Sequence, residues 1–221
     1  MSMHTELVLT HLETPAPCLQ ERPAEGRDRG AIPVLRGMGV TLRELRPTDA
    51  ASLAAHLATP VVSKHLSAPP ADAAAFTQFI EWARAEWRAG RCLSLAVVPD
   101  GAEAAVGLLQ VHTTGGGWDT AEWGFALGQA WWGTGTFSHA ASAFLAYVFD
   151  DLGVRRLESR TAARNGRAIA ALEKLGGVCE CVLSRAFRTE SGRADQVLHA
   201  ILASEWLRRY HVGTTLAKSV H

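Results

Sequence analysis

The chain has 221 residues, enough for one domain with its own core, and its 22 basic and 22 acidic side chains leave no formal net charge. The zero balance argues against a nucleic acid or an anionic membrane as the main partner. The sequence has neither an apolar run of about 20 residues nor a basic-then-apolar leader, so we expect a cytoplasmic protein.

Composition divides the chain into three parts. Residues 1–32 are rich in proline and polar side chains and predict a partly flexible N-terminal arm. Residues 33–209 carry the periodic apolar patterns of one domain, and residues 210–221 form a C-terminal tail. The four cysteines lack a second Cys/His pair at ligand spacing, so we expect no metal site and no disulfide framework. Buried thiols are predicted instead, including Cys179 and Cys181 on one strand.

The first half of the domain predicts a strand, two helices and three more strands. The first strand runs from Val40 to Leu45, and Pro47-Thr48-Asp49 begins the first helix. Asp72 caps the second helix and Gly90 ends it. Three strands then follow as a meander joined by turns: Leu93 to Val98, Ala104 to His112 and Thr120 to Leu127.

The second half begins with a turn of small residues, Gly133-Thr134-Gly135-Thr136, and a helix with an apolar stripe from Ser138 onward. The remaining predicted elements are a strand from Arg155 to Thr161, a helix from Ile169 to Leu175, strands from Val178 to Phe187 and Gln196 to Leu202, and a helix from Glu205 to Tyr210. A glycine turn between a strand and a helix can hold an anion, because backbone N–H groups converge in front of the positive end of the helix dipole. An ordinary strand-to-helix connection uses the same residues, so this motif alone leaves both interpretations open.

Four motifs follow one another within residues 33–209: Thr41-Leu42-Arg43 with Thr48-Asp49, Trp132-Gly133-Thr134-Gly135, Asn165 with Leu172-Glu173-Lys174-Leu175-Gly176, and Asp195-Gln196-Val197 with Glu205-Trp206. With the order of elements, they resemble the GNAT N-acetyltransferase superfamily, in its RimJ/RimL-like branch. The resemblance implies an α+β fold: a twisted, mostly antiparallel sheet of about seven strands, flanked by about four helices. It also implies that the fourth and fifth strands splay apart.

In such folds the pantetheine arm of acetyl-CoA pairs with the free edge of the fourth strand like an added strand. The resemblance therefore implies that Phe125, Ala126 and Leu127 offer backbone groups to the arm, and that Asn165 bonds it. The loop implied to hold the diphosphate through its amides comprises Trp132, Gly133, Thr134, Gly135, Thr136 and Phe137. The N–H of Ala126 or Leu127 is expected to stabilise the oxyanion.

Several positions depart from the family pattern. Trp132 stands where the loop usually begins with Arg or Gln, which should cost affinity. His139 and Ala168 replace a frequent Glu and Ser, and Leu172 replaces the tyrosine that protonates the leaving thiolate in many members. The sequence therefore indicates no general acid.

Attack on a thioester requires a neutral amine, so a carboxylate or a histidine should accept its proton. Glu122 is the first candidate, because it lies just before the segment expected to pair with the cofactor. A salt-bridged strand residue is the alternative interpretation. Asp119 and His112 are weaker candidates, and His139 is expected to contact the cofactor or to pack.

The sequence thus predicts an acetyl-CoA-dependent N-acetyltransferase that acts on a protein or peptide N-terminus or on a small amine, as a monomer or a homodimer. Five tryptophans either line an acceptor groove or pack in the core: Trp82, Trp87, Trp118, Trp123 and Trp131. One alternative is a GNAT-like module that binds acyl-CoA with little catalysis. A dinucleotide enzyme is disfavoured, because the third glycine of that fingerprint is Ser138 and an antiparallel meander precedes the turn.

Overall fold

The computed structural model describes residues 30–67, 69–115, 117–189 and 192–209. Most of the predicted arm and the whole predicted tail lie outside these residues, as do Cys18 and Tyr210. In the part of the chain that is described, eight strands form one mixed sheet with six α-helices around it. None of these helices combines the length and hydrophobicity that a membrane span requires.

The predicted elements occur in the predicted order, with a short strand added before the first one and a short helix added between the first two predicted helices. The strands are β1 (Leu35–Gly37), β2 (Val40–Glu44), β3 (Cys92–Pro99), β4 (Gly107–Gly115), β5 (Gly117–Leu127), β6 (Arg156–Ala162), β7 (Val178–Thr189) and β8 (Gly192–Leu202). The helices are α1 (Ala50–Leu57), α2 (Pro60–Ser63), α3 (Ala73–Arg88), α4 (Thr136–Asp150), α5 (Gly166–Lys174) and α6 (203–209). Short 3-10 turns at Pro47–Asp49 and Gln129–Trp131 precede α1 and the glycine turn.

The strand order is β1-β2-β3-β4-β5-β6-β8-β7. All neighbours are antiparallel except β5 and β6, which pair in parallel over Thr120–Arg156, Ala121–Leu157 and Glu122–Glu158. Beyond Glu122 the two strands no longer pair, although β5 continues to Leu127 and β6 to Ala162. The predicted GNAT fold with its splayed central strands is thereby confirmed, and the antiparallel meander β3-β4-β5 excludes a dinucleotide-binding β-α-β unit here.

Helices cover both faces of the sheet. On one face, α4 buries Phe144, Leu145 and Val148 against the central strands, in a cluster that Leu172 of α5 also joins. On the other face, α1 and α3 form a second cluster, in which Phe76 is fully buried. The Asp72 carboxylate caps α3 by accepting from the Ala75 amide at 2.8 Å, as predicted. The sheet therefore lies between two apolar layers. The gap within the sheet is the one between the diverging ends of β5 and β6.

Strand β4 begins three residues later than predicted. The side chains of Ala105 and Val106 are buried, but the Ala105 amide donates to the Asp49 carboxylate at 3.0 Å. That carboxylate also accepts two bonds from Arg43, at 2.7 and 2.8 Å. A buried side-chain acceptor therefore takes the place of a strand partner and holds this apolar segment as a loop.

The prediction of buried thiols is right for Cys92 and wrong for Cys179 and Cys181, which are free and exposed. Strand β7 is the last strand of the sheet, so one of its edges has no neighbouring strand in the described part of the chain. A bulge also interrupts the β7–β8 register between Cys179 and Cys181. Side chains on an edge strand are less buried than its apolar composition suggests. Val182, the residue after Cys181, is likewise 58% exposed.

Candidate active site

Strand β5 presents a free backbone edge where it leaves β6. The Gly128 amide donates to the Val106 carbonyl at 2.9 Å, which fixes the bonded pairs between β5 and β4. Bonded and non-bonded pairs alternate in antiparallel strands, so Ala126 bonds to β4, whereas Phe125 and Leu127 face the gap. On Leu127 only the N–H is available, because its carbonyl accepts from Trp132 Nε1. Of the two amides expected to serve the oxyanion, only that of Leu127 faces the gap, and it lies about 16 Å along β5 from Glu122 at about 3.3 Å per residue.

The glycine turn after β5 has the geometry of an anion site. Gly133 and Gly135 have φ values of +76° and +89°, which side-chain-bearing residues rarely adopt. Gly135 is the N-cap of α4, and the first amide of this end with an intrahelical bond is that of His139, which donates to the Gly135 carbonyl at 3.1 Å. The preceding amides of a 15-residue helix thus face the turn at the positive end of its dipole.

Trp132 is fixed in place by its ring nitrogen. Its Nε1 donates to the Leu127 carbonyl at 2.8 Å, so the start of the loop is tied to the end of β5. The guanidinium of Arg167 lies over the Trp132 ring, with Cζ 4.7 Å from the ring centroid. Trp132 therefore does not bring a cation to the loop, but it holds one that comes from α5.

Asn165 is the N-cap of α5. Its Oδ1 accepts from the Ala168 amide at 3.2 Å, and the side chain is buried at 8% exposure. Because the oxygen is committed to the cap, the amide nitrogen is the group left to donate toward a ligand.

These parts meet in a cavity of about 700 Å³. Its walls come from the end of β5, the glycine turn, the first turn of α4, one face of α5 and the segment around α2. The charged or titratable side chains among its lining residues are His65, Arg167 and Lys174, and none of the lining residues is acidic. The cavity therefore suits an anionic ligand.

Of the ten predicted cofactor residues, eight line this cavity: Phe125, Ala126, Leu127, Trp132, Gly133, Gly135, Phe137 and Asn165. Thr134 and Thr136 are not among the lining residues. Their hydroxyls bond each other at 2.9 Å, and Thr134 Oγ1 also bonds the Trp131 carbonyl at 2.8 Å, so both side chains brace the turn.

The sequence interpretation missed His65, Arg167 and Lys174. Arg167, Ala171 and Lys174 follow one another at helical spacing and so share one face of α5, but the spacing does not show what that face lies against. His65 follows a helix of four residues, too short to leave a period. Its Nδ1 is buried and has no hydrogen-bond partner among the described residues. Burial lowers the pKa of His65, and the positive charges of Lys64, Arg164 and Arg167 lower it further.

Glu122 does not line the cavity; it lies three residues before Phe125 on β5, at the last pair between β5 and β6. It is buried at 4% exposure, and its Oε2 accepts from Arg160 Nη1. Its Oε1 is also buried and has no hydrogen-bond partner in the described part of the chain. The geometry is therefore compatible with both interpretations of Glu122. Its Oε2 forms the salt bridge with Arg160, and its Oε1 is the atom that could act as the base.

The other candidate bases lie outside the cavity lining. Asp119 is exposed and pairs with Arg155 at 3.4 Å, and His112 is the cross-strand neighbour of Glu122. The His139 ring lies beside Gly135, behind the turn. Of the five tryptophans, Trp131 lines the cavity, Trp82 stacks on Phe79, and Trp87, Trp118 and Trp123 are buried in the core.

Strands β6 and β8 carry buried polar groups without partners among the described residues. The hydroxyls of Ser159 and Thr161 on β6 are buried and have no hydrogen-bond partner among the described residues, and neither does the Gln196 amide on β8. Buried polar groups are rarely left unpaired in proteins. None of these three residues is among those that line the cavity, where the sheet contributes only the end of β5.

Comparisons with known proteins identify the family of this fold. A family model described as an acetyltransferase (GNAT) domain matches residues 40–178, more than half of the chain. No curated protein matches the chain significantly. Mycobacterium smegmatis RimJ, solved in complex with CoA-disulfide, is 25% identical with a TM-score of 0.69, over 79% of this chain and 88% of that one.

Two further solved structures share the fold at lower identity. A GCN5-related N-acetyltransferase from Brucella melitensis is 23% identical with a TM-score of 0.68, over 80% of this chain and 82% of that one. The ribosomal-protein-S5-alanine acetyltransferase from Vibrio fischeri is 14% identical with a TM-score of 0.70, over 79% and 98%.

The fold, the splayed strands and the glycine turn are those of an acetyltransferase, and the chain belongs to the GNAT family. Within that family, its 25% identity to RimJ supports the RimJ/RimL-like branch.

Proposed function

We propose that this protein transfers the acetyl group of acetyl-CoA to a primary amine, either the N-terminus of a protein or peptide or a small molecule. The observation that carries the proposal is the single cavity that joins the free edge of β5, the glycine turn and the cationic face of α5. A ligand that fills all three parts needs an extended amide chain and a phosphate-bearing end, and CoA has both.

The described residues have the donors that such a ligand requires. Phe125 and the Leu127 N–H would pair with the pantetheine amides as a neighbouring strand does, since the Leu127 carbonyl already accepts from Trp132 Nε1. The Asn165 side-chain nitrogen would donate to a pantetheine carbonyl, and the amides from Gly133 to Phe137 would hold the diphosphate. Acetyl-CoA supplies a thioester carbonyl when bound, and its oxygen would need an N–H donor on the free edge of β5 nearer to Glu122 than Leu127 is.

We assign proton removal to Glu122, directly or through one water, with its unpaired Oε1 as the acceptor. The new bond joins the amine nitrogen to the acetyl carbon, the carbon–sulfur bond breaks, and the amine proton goes to the carboxylate. Arg160, which donates to Oε2, fixes the orientation of the buried carboxylate. No tyrosine lines the cavity, and Leu172 is buried in the core, so the thiolate would take its proton from solvent.

Two measurements test the proposal. Calorimetry should show micromolar binding of CoA to the full chain and none of NAD. Incubation with acetyl-CoA and a panel of N-terminal peptides and small amines, read by mass spectrometry, should then show a gain of one acetyl group. Mass spectrometry is preferable to thiol reagents, because Cys179 and Cys181 are exposed and would react with them.

Peptides come first in the panel because a neighbouring structure is described as acting on ribosomal protein S5 at alanine. CoA binding without acetylation of any acceptor would favour the alternative function, an acyl-CoA-binding module with little catalysis. A complete lack of CoA binding would exclude both functions.

A further inference from the structure

We propose that Arg167, held over Trp132, supplies the diphosphate-binding cation that the glycine turn itself lacks. The inference rests on the proposed function, since it concerns how the chain would hold CoA. In related sequences the cationic position is the first of the loop, and here a tryptophan occupies it. The structure shows a cation at the same mouth of the cavity, contributed by a different element.

Arg167 has the properties of a ligand-binding side chain. It is exposed, it lines the cavity with Trp132 and Gly133, and it forms no ion pair with any carboxylate among the described residues. It is the second residue of α5, where a cation opposes the helix dipole. The helix dipole therefore does not stabilise an arginine in the first turn. The guanidinium of Arg167 instead contacts the Trp132 ring.

The contact with Trp132 restrains the guanidinium. The ring is fixed by the 2.8 Å bond from Nε1 to the Leu127 carbonyl, so it forms a rigid platform for the cation. A guanidinium stacked through its face keeps its edge N–H groups available, and these match two phosphate oxygens at once. The turn amides and Arg167 would then hold the diphosphate from two sides of the cavity mouth.

Lys174 is a second cation among the cavity-lining residues. It lies seven residues after Arg167 on the same face of α5, about 10 Å along the helix axis at 1.5 Å per residue. The two side chains therefore leave the helix about two turns apart. Lys174→Ala provides a comparison for Arg167→Ala, and the proposal expects the larger loss of CoA affinity from Arg167→Ala.

The test compares three probes by calorimetry: CoA, 3′-dephospho-CoA and pantetheine, which has no phosphate. Arg167→Ala should weaken binding of CoA and of dephospho-CoA by about ten- to hundredfold, the usual range for a hydrogen bond to a charged group. Pantetheine binding should not change. The matched control is Arg164→Ala, which removes a nearby exposed arginine that is not among the cavity-lining residues.

A double variant makes the test specific. Trp132→Arg restores the family's cation in the loop, so Trp132→Arg combined with Arg167→Ala should bind CoA within about threefold of the wild type. The proposal is overturned if Arg167→Ala binds CoA normally, or if it loses affinity for CoA but not for dephospho-CoA, which would place Arg167 at the 3′-phosphate. If the wild type does not bind CoA at all, the proposed function itself fails.

Discussion

Glu122 accepts a hydrogen bond from Arg160 at the point where β5 and β6 cease to pair, so one ion pair joins the two strands at the inner end of the gap. We predict that Glu122→Gln lowers kcat by about a hundredfold, in the range of general-base contributions, and leaves CoA affinity within about twofold. The measurement combines steady-state kinetics with calorimetry.

The control for this prediction is Glu158→Gln. Glu158 also contacts Arg160, at 3.3 Å, but its other oxygen pairs with Arg156 at 2.8 Å. The Glu158→Gln substitution should therefore leave kcat nearly unchanged. Equal losses in both variants would show that Arg160 geometry matters and that Glu122 is not the base.

The buried Asp49 should make stability depend on pH. Burial alone would raise its pKa, but bonds from Arg43 and from the amides of Arg46 and Ala105 outweigh burial, and the pKa of Asp49 lies below its ordinary value. A lowered folded-state pKa stabilises the protein above the unfolded value of about 3.9, and this contribution is lost as the pH falls through the folded value. Asp49→Asn should thus cost about 3–5 kcal/mol in urea unfolding at pH 7, and the difference should narrow below about pH 4.

Asp119→Asn provides the comparison, because Asp119 pairs with Arg155 on the surface with side-chain exposures of 78% and 82%. Its effect should stay within about 0.5 kcal/mol at every pH. If the Asp49→Asn difference instead persists unchanged at pH 3, charge is not the source of the stabilisation.

Gly107 should be intolerant of a side chain. A Cβ at this position would lie 2.4 Å from the Ala126 carbonyl oxygen and 3.0 Å from the Leu127 Cα. Gly107→Ala must therefore push β4 away from the end of β5, at a cost of about 1–3 kcal/mol, and should also weaken CoA binding. Gly115→Ala, at the open end of the same strand, meets no atom within 4 Å and should change neither quantity. Thermal unfolding and calorimetry measure the two effects.

The pKa of His65 should respond to changes in the charge of the cavity. Burial and the charges of Lys64, Arg164 and Arg167 lower it, so the free protein holds a neutral imidazole at pH 7. Phosphates bound beside Arg167 would offset those charges, and saturating CoA should raise the pKa of His65, as nitrogen NMR shifts across a pH series would record. Arg167→Ala should raise it without any ligand. No change in either case would mean that His65 does not sense the cavity's charge.

Thiol accessibility should separate the cysteines into two classes. Cys179 and Cys181 are exposed, whereas Cys92 is buried and burial raises its pKa to about 12. In a Cys18→Ser background, a disulfide reagent at pH 8 should titrate two thiols rapidly and a third only after urea is added. Rapid reaction of all three would contradict the burial of Cys92.

The sequence identified the main elements because their apolar stripes are local. The apolar stripe of α3 from Phe76 to Trp87 is buried as predicted. Helix α4 begins at the glycine turn because its N-cap residue, Gly135, has a left-handed backbone conformation that glycine adopts readily. Strand β1, with three residues, and helix α2, with four, are too short to leave a period.

The errors have tertiary causes. The segment around Ala105 is apolar but is held as a loop by Asp49, a residue 56 positions earlier in the chain. Cys179 and Cys181 lie on an apolar-looking strand that occupies the sheet edge. Arg167 and Lys174 look like a solvated helix face, and only the packing of α5 beside the glycine turn makes them cavity walls. Local patterns carry none of this information.

The three residue pairs between β5 and β6 are the only strand pairing that joins β1–β5 to β6–β8 in the described part of the chain. The two parts are also joined by the Glu122–Arg160 ion pair and by the apolar cluster against α4, which includes Trp123 of β5 and Leu157 of β6. A cosubstrate paired with the free edge of β5 would add strand-like pairing where the sheet has none, and its binding free energy would stabilise the folded protein. Acetyl-CoA would then support the sheet reversibly as well as react, and this stabilisation would be lost each time free CoA departs.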